Sequence, residues 1–132
     1  MTRFAAVALL LATSCVSAVA AGPRTIEVSM HYSHYSVSSL DVAAGSTVTF
    51  LVHNTDPIPH EFIIGTEAEQ AAHETGARRS HNGLPGQASV EPGARATVVY
   101  TLARAGTFIF ACHLPGHYAY GMRGTVTVRG RT

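Results

Sequence analysis

The chain has 132 residues, 46% of them hydrophobic, which is enough to fill the core of one domain. It contains no lysine, and its nine basic and eight acidic side chains nearly cancel. This balance gives no electrostatic reason to expect nucleic acid or an acidic membrane surface as a partner, and we expect a monomer. The unusual feature is the number of histidines, eight, which is high for so short a chain.

The start of the chain has the three-part pattern of a secretory signal peptide. A basic start ends at Arg3, an unbroken apolar run covers residues 4–12, and a small-x-small cleavage site ends at Ala20. The apolar run is well short of the ~20 residues that span a bilayer. We therefore predict a signal peptide over 1–21 and a mature domain over 22–132 without a transmembrane segment. The protein is expected to be periplasmic or secreted.

Two alternatives at the N-terminus stay open, an uncleaved anchor and a lipid attached to Cys15. The lipid is disfavoured because Ala12, and not leucine, stands three residues before this cysteine. Cleavage of the leader leaves Cys112 as a single cysteine in an oxidising compartment, where it has no partner for an internal disulfide. Such a cysteine is either a small buried hydrophobic residue or a metal ligand.

After the leader, short segments that alternate between apolar and polar residues predict β-strands. Clusters of glycine, proline and asparagine separate them, and no βαβ alternation occurs. We therefore predict an all-β fold, a Greek-key β-sandwich with antiparallel strands. The predicted strands are residues 25–30, 37–42, 46–52, 61–64, 95–102, 107–111 and 124–128.

Residues 66–76 are the exception to this strand pattern. Thr66 and Glu69 form a capping box, and Gly76 offers a helix stop. The following segment, 77–86, has the asparagine–glycine and proline–glycine pairs of an irregular loop. We therefore predict one short helix within a long loop.

Three soft or borderline metal ligands follow one another near the C-terminus. Cys112, His117 and Met122 stand five residues apart, directly after a strand-like segment. This spacing favours the metal-ligand interpretation of the cysteine. One more histidine would complete a trigonal His₂Cys site with a long axial methionine, the arrangement that binds blue copper. His60, about 50 residues upstream between two strand-like segments, is the candidate.

With these residues the chain resembles the cupredoxins, small blue copper proteins, over the whole predicted mature segment. The resemblance is carried by residues 42–50, by 53–62 and by 106–122. The last segment contains the loop Cys-x₄-His-x₄-Met, which is the longer of the family's common spacings. The plastocyanin and azurin spacings are poorer matches.

The resemblance implies one type 1 copper that cycles between Cu(I) and Cu(II). It also implies His60, Cys112, His117 and Met122 as the copper ligands. One residue departs from the family pattern, because Glu61 stands where many relatives carry an asparagine that braces the ligand loop. The surroundings of the copper are therefore expected to differ from those of such relatives.

Two functions of different classes fit this picture. The main interpretation is an exported blue copper protein that carries single electrons between redox partners and is not an enzyme. The alternative is a periplasmic copper-handling protein that serves tolerance, storage or delivery. The extra histidines support the alternative, because additional weak copper sites suit a metal buffer.

A looser cluster near the mature N-terminus, Met30, His31 and His34, is a candidate for a second copper site. The two histidines are three residues apart, however, so a regular strand would turn them to opposite sides. A polar surface edge is the favoured interpretation of this cluster.

The remaining histidines do not extend the predicted site. His113 follows the ligand cysteine, as in multicopper oxidases, but Ala111 and not a histidine precedes that cysteine, and no His-x-His pair occurs. We therefore expect His113 to face solvent or the opposite side of the strand. His53, His73 and His81 are expected on the surface or in loops.

His117 is also expected to serve as an electron port. A ligand histidine whose ring edge emerges through an apolar patch suits brief docking of a redox partner protein. The expected members of this patch are Leu114, Pro115, Tyr118, Tyr120 and the residues 58–59 and 84–85.

Overall fold

A computed structural model of the chain describes residues 23–76 and 84–130. The predicted signal peptide, 1–21, and Cys15 lie outside the described residues, as does most of the predicted loop 77–86. The described part contains nine strands and one helix. In chain order they are β1 Pro23–His31, β2 His34–Tyr35, β3 Ser39–Ala43, β4 Ser46–Asn54, β5 His60–Gly65, α1 Glu67–Glu74, β6 Gln87–Val90, β7 Arg95–Leu102, β8 Gly106–Ala111 and β9 Arg123–Arg129.

The strands form two sheets around one hydrophobic core. One sheet has the strand order β2-β1-β4-β7, and the other has the order β3-β9-β8-β5-β6. Strand β9 shows the period of two that a half-buried strand requires, because Gly124, Val126 and Val128 are buried while their neighbours are exposed. The predicted all-β sandwich with one short helix is confirmed.

Each of the seven predicted strands corresponds to an observed strand, with ends that differ by at most two residues. Strands β2 and β6 add to them, and both are too short to show a clear alternation. Two pairs depart from the antiparallel expectation, because β1 runs parallel to β4 and β3 runs parallel to β9. The chain leaves the first sheet to form β3 in the second sheet, and it returns to the first sheet at β4. Strand β4 therefore reaches β1 through a crossover and not through a hairpin, which allows the two strands to run parallel.

Aromatic rings fill the core beneath the predicted metal ligands. Phe62 and Phe110 stack with their ring centroids 5.3 Å apart, and Phe50 lies 4.9 Å from Phe62. All three rings are fully buried. Phe62 follows His60 by two residues and Phe110 precedes Cys112 by two, so this packing fixes both strand ends that lead to the site.

Helix α1 begins at the predicted capping box. The Thr66 hydroxyl accepts the N–H of Glu69 at 3.4 Å, and the Glu69 carboxylate accepts the N–H of Thr66 at 2.7 Å. The buried amide of Gln70 donates to the carbonyls of Ile63 and Ile109, at 3.1 and 2.7 Å, and so anchors the helix on β5 and β8. Across the described residues, no helix has the length and hydropathy needed to cross a membrane.

Candidate metal centre

Strands β5 and β8 bring His60 and Cys112 to the same end of the sandwich. They are antiparallel neighbours with Ile63 opposite Ala111, so the first residue of β5 lies near the residue that follows β8. The backbone N–H of Glu61 donates to Sγ of Cys112 at 3.3 Å. This bond links the histidine-bearing strand directly to the sulfur.

A compact loop returns the chain from Cys112 to His117 and Met122. The His117 N–H donates to the Leu114 carbonyl at 3.0 Å, and the Met122 N–H donates to the His117 carbonyl at 3.0 Å. The Cys112 N–H closes the loop on the Met122 carbonyl at 3.1 Å. Gly121, with φ of 96°, supplies a left-handed conformation that favours glycine. The loop backbone thus fixes three of the predicted ligands relative to one another.

His60, Cys112 and His117 present three ligand atoms that all lie within 4.8 Å of one another. Nδ1 of His117 is 3.2 Å from Nδ1 of His60 and 3.3 Å from Sγ of Cys112. His60 and Cys112 are fully buried, whereas His117 is partly exposed. Two imidazole nitrogens and one sulfur, largely shielded from water, are a donor set that can hold copper.

Met122 is the fourth predicted ligand. Its side chain is fully buried in the same hydrophobic cluster as Cys112, and its backbone bonds to both Cys112 and His117, as described above. The structure therefore places all four predicted residues at one end of the sandwich. A thioether is a soft, weak donor, so Met122 stays the predicted fourth ligand.

The ionisation of the site is set mainly by burial. Burial raises the pKa of the Cys112 thiol to about 11, against the opposing effect of hydrogen bonds from Leu114 and Glu61. The pKa of His117 is lowered, first by burial and second by the positive charge that His60 can carry. At neutral pH the sulfur therefore holds a proton that a metal must displace, while the imidazole of His117 is neutral and ready to bind.

Glu61 braces the ligand loop in the position where many cupredoxins carry asparagine. It is buried, and its carboxylate accepts the backbone N–H of His113 at 3.2 Å, next to Cys112. Its carbonyl accepts the hydroxyl of the half-buried Tyr35. A carboxylate can accept the hydrogen bond that an amide oxygen would accept, so the departure from the family pattern keeps the brace.

Of the two placements expected for His113, the one that faces solvent is wrong, because its side chain is only 3% exposed. Its ring turns toward helix α1, with Nε2 2.6 Å from Gln70 Oε1 and Nδ1 2.8 Å from Glu74 Oε2. On the loop side it stacks on Tyr118 with centroids 5.0 Å apart. His113 thus ties the helix to the ligand loop.

The structure gives separate outcomes for the other three histidines. His73 is buried at 5% exposure, so its expected surface position is wrong. The helix turns it toward His113, whose ring lies 5.6 Å away. His53 is partly exposed on β4, as expected, and His81 lies outside the described residues.

The expectation that His31 and His34 face opposite sides is also wrong. They are register partners across a two-residue turn and therefore lie on the same exposed face as direct cross-strand neighbours. Tyr32 and Ser33 form the turn with positive φ values of 50° and 54°, which reverses the chain between the histidines. Met30 does not join them, since it is fully buried in the core.

Members of the expected apolar patch are exposed close in sequence to the predicted ligands. Ile58 precedes His60 by two residues and is 43% exposed, and Tyr120 in the ligand loop is 83% exposed. Leu114, His117 and Tyr118, in the same loop as Tyr120, are partly exposed. Exposed or partly exposed apolar side chains therefore occur within the ligand loop and two residues before His60.

Residues 84–85 do not belong to this patch. Strand β6 pairs with β5 so that Val90 faces His60 and Gln87 faces Ile63. These positions are three residues apart, or about 10 Å along a strand, and residues 84–85 lie beyond the Gln87 end. The expected grouping of residues 84–85 with the patch is therefore wrong. The sequence could not show this, because the position of these residues depends on how β6 pairs with β5, a strand distant in sequence.

One residue that contacts a predicted ligand was not predicted from the sequence. Asp56, in the loop before β5, is 4% exposed and lies 2.8 Å from Nε2 of His60 through its Oδ2. An acidic residue four positions before a candidate ligand histidine, in a loop with two prolines, is a signal that could have indicated it. Carboxylates commonly orient metal-binding histidines in this way.

The fold and the His₂Cys group define the class of this protein, and a family comparison agrees. The model of the cupredoxin-like domain matches residues 3–128, so the chain belongs to the cupredoxin-like family. Three relatives carry the name "Copper-resistant cuproprotein CopI", and two of them match most of this chain. The one from Rubrivivax gelatinosus is 37% identical over 110 residues, which cover 80% of this chain and 67% of the relative. The one from Pseudomonas aeruginosa is 30% identical over 138 residues, covering 80% and 76%.

A solved structure supports the same assignment of the fold. Auracyanin A, described as a "blue" copper protein from Chloroflexus aurantiacus, superposes with a TM-score of 0.63. It is 28% identical in sequence, and the match covers 81% of this chain and 99% of auracyanin A. The resemblance to cupredoxins that the sequence indicated is thereby confirmed.

Proposed function

We propose that this chain is a type 1 copper protein that binds one copper. His60, Cys112 and His117 are its trigonal ligands, and Met122 is its weak axial ligand. The observation that carries this proposal is the convergence of two buried or half-buried imidazole nitrogens and one thiol sulfur within 4.8 Å. The donor set fits copper, because imidazole and thiolate together suit both of its oxidation states.

Reversible single-electron transfer is the chemistry that copper supplies when bound here. The residues of the chain keep the ligand geometry fixed between the two oxidation states. His60 begins a strand, Cys112 follows a strand, and the loop between Cys112 and Met122 is closed by backbone hydrogen bonds. Little movement on oxidation is what fast electron transfer requires, and the buried aromatic core beneath the ligands resists such movement.

We place the entry point for electrons at the exposed edge of His117. Tyr120 in the ligand loop and Ile58 just before β5 expose apolar side chains, and an apolar patch around a ligand suits a brief encounter with a redox partner protein. In this role the chain passes electrons and is not an enzyme by itself. We further propose that residues 1–21 direct its export and are removed, so that it acts in the periplasm or outside the cell as a monomer.

Copper handling is the second candidate function. The relatives named as copper-resistant cuproproteins favour it over general electron carriage, and so does the paired placement of His31 and His34. The Thr55 hydroxyl donates to the Met30 carbonyl at 2.7 Å, so its oxygen is left to accept from Nδ1 of His31 at 3.2 Å. His31 then keeps the lone pair of its Nε2 for a metal.

His34 is held in the same way. Its Nδ1 lies 2.7 Å from the carbonyl oxygen of Tyr32, which can only accept, so Nδ1 carries the hydrogen. Both exposed histidines thus present Nε2 lone pairs on one face, as a weak site for Cu(II) would require. A second copper at this hairpin would suit a protein that buffers copper.

A copper titration with optical detection tests the main proposal. The protein should turn intensely blue and reach its full colour at one equivalent of Cu(II), because a short copper–thiolate bond gives strong charge transfer. Cys112→Ser should abolish the colour while the fold is kept. Blue copper in that variant would refute the ligand assignment.

A further inference from the structure

Asp56 is an almost fully buried carboxylate on which three donors converge. Its Oδ2 lies 2.8 Å from Nε2 of His60 and also accepts the backbone N–H of Ser33 at 2.8 Å. Its Oδ1 accepts the backbone N–H of Tyr32 at 2.7 Å. Burying a charged group costs free energy unless hydrogen bonds compensate it. Three donors that converge on one buried carboxylate therefore indicate a specific role for Asp56.

The loop that carries Asp56 is itself held in place. The Asp56 N–H donates to Oδ1 of Asn54 at 3.0 Å. Asn54 is fully buried, and its amide nitrogen donates to the carbonyls of Ile58 and Val90, at 2.8 and 2.9 Å. The carboxylate is therefore fixed relative to β6 and to the chain that enters β5.

This geometry selects one tautomer of His60. Both oxygens of Asp56 accept backbone N–H groups, Oδ1 from Tyr32 at 2.7 Å and Oδ2 from Ser33 at 2.8 Å, so its side chain is placed as a carboxylate acceptor. An ionised carboxylate only accepts hydrogen bonds, so Nε2 of His60 carries the hydrogen and Nδ1 keeps its lone pair. Nδ1 is the atom that faces His117 at 3.2 Å.

The same carboxylate supports the turn between β1 and β2. Tyr32 and Ser33 both have positive φ, a conformation that is unfavourable for residues with side chains. Their two adjacent N–H groups point at Asp56, which satisfies both. The exposed hairpin and the buried His60 are thus joined through a single side chain.

We propose that Asp56 is a positioning residue of the copper site: it holds His60 in the metal-binding tautomer, and its negative charge favours Cu(II) over Cu(I). This inference rests on the proposed copper site. The charge beside the ligand should lower the reduction potential, because the more positive oxidation state gains more from a nearby anion.

The test compares Asp56→Asn with wild type in the copper-loaded full chain. The variant keeps the size of the side chain, but it removes the charge and leaves one accepting oxygen for three donors. We expect a higher reduction potential and a loss of copper affinity of about 10- to 100-fold in competition with a chelator. Asp41→Asn is the matched control, because it removes the same charge from an exposed carboxylate on β3 that pairs with Arg129. Its potential should stay close to that of wild type.

A second measurement does not depend on copper. Nitrogen-15 chemical shifts of the His60 ring in the metal-free full chain report which ring nitrogen carries the hydrogen. We expect the Nε2–H form in wild type and a mixture of forms in Asp56→Asn. Asp56→Glu, which restores the charge, should return the potential toward that of wild type.

The outcomes separate this inference from the proposed function. If wild type fails to bind copper, the proposed function is wrong, and the ring shifts of His60 still decide the role of Asp56. If wild type is blue but Asp56→Asn and Asp41→Asn have the same potential, the inference is overturned. If Asp56→Asn does not fold, the nitrogen-15 shifts of wild type still test the inference. An Nδ1–H form of His60 in wild type would overturn the role of Asp56.

Discussion

Gly124 lies directly opposite Phe110 in the β8–β9 pair, so close that a Cβ on the glycine would meet the ring at 2.1 Å. The ring therefore occupies the space that any side chain at position 124 would need. Because Phe110 stacks on Phe62, this contact sets the position of the aromatic core beneath the metal centre. The requirement for glycine here is steric, since its backbone conformation is one that other residues adopt.

The first prediction follows from this contact. Gly124→Ala should destabilise the protein by about 1–3 kcal/mol, because the Phe110 ring has to shift within a close-packed core. Gly130→Ala is the control, since a Cβ there meets nothing within 4 Å, and it should change the free energy of unfolding by less than about 0.5 kcal/mol. Chemical denaturation of the metal-free protein measures both. Equal stabilities of the two variants would contradict the steric account.

The second prediction concerns the axial ligand. Met122→Leu should keep the copper and the blue colour but raise the reduction potential, because loss of a weak donor disfavours Cu(II) more than Cu(I). Leucine is close to methionine in volume, so the fully buried site should tolerate it. Redox titration followed at the blue absorption band measures the shift. Complete loss of copper would mean that Met122 does something other than axial ligation.

The third prediction is a proton released on copper binding. With its pKa raised to about 11, the Cys112 thiol of the metal-free protein is protonated throughout the range from pH 7 to 9. Copper binds the thiolate, so each copper should release one proton, and the binding constant should rise about tenfold per pH unit. His117 contributes no proton there, because its lowered pKa leaves the ring neutral.

Proton release is measured by adding copper in weakly buffered solution with a pH indicator. Cys112→Ser is the control, and it should release no proton. An affinity for copper that stays constant between pH 7 and 9 would show that the cysteine is already ionised in the metal-free protein, against the effect assigned to its burial.

Local and long-range features of this protein differ in how far the sequence predicts them. Cys112, His117 and Met122 lie in one short loop, so their spacing alone indicates a copper site. The contact of Asp56 with Tyr32 and Ser33 joins segments that are far apart in the chain and depends on a turn with positive φ. Such turns are usually predicted from glycine or asparagine, and neither residue occurs at these two positions.

The same physical reason explains the placement of the histidines. A regular strand through His31 and His34 would separate their side chains, but the turn makes them register partners. His73 and His113 lie far apart in sequence and meet only because helix α1 folds back over β8. Alternation along one strand predicts which side chains face inward, and it carries no information about which distant element covers them.

The fourth prediction addresses docking through the apolar patch. Ile58→Glu should slow electron self-exchange between reduced and oxidised copper protein by about tenfold or more, because two copies meeting at this patch would bring like charges together. Leu51→Glu is a matched control, since Leu51 is 40% exposed and Ile58 is 43% exposed, and Leu51 lies on β4. The reduction potential should stay the same in both variants. Equal self-exchange rates for Ile58→Glu and Leu51→Glu would show that electron transfer does not depend on docking through the patch.

The fifth prediction separates copper handling from electron carriage. If the protein handles copper, a second, weaker equivalent of Cu(II) should bind at His31 and His34 after one equivalent fills the blue site. Electron paramagnetic resonance should show it as a second signal without blue absorption, because two imidazoles and water give a tetragonal site without sulfur. His31→Ala and His34→Ala should each lose this signal and keep the blue site intact.

His53→Ala is the control for that experiment, since His53 is a partly exposed histidine on the neighbouring strand β4 and has no role in the proposed pair. It should retain the second copper. In cells, the same His31 and His34 variants should become more sensitive to copper if the protein buffers the metal. Binding that stops at one equivalent, with copper tolerance and blue colour unchanged in all three variants, would instead support the electron carrier, in which these histidines are only a polar edge of the sheet.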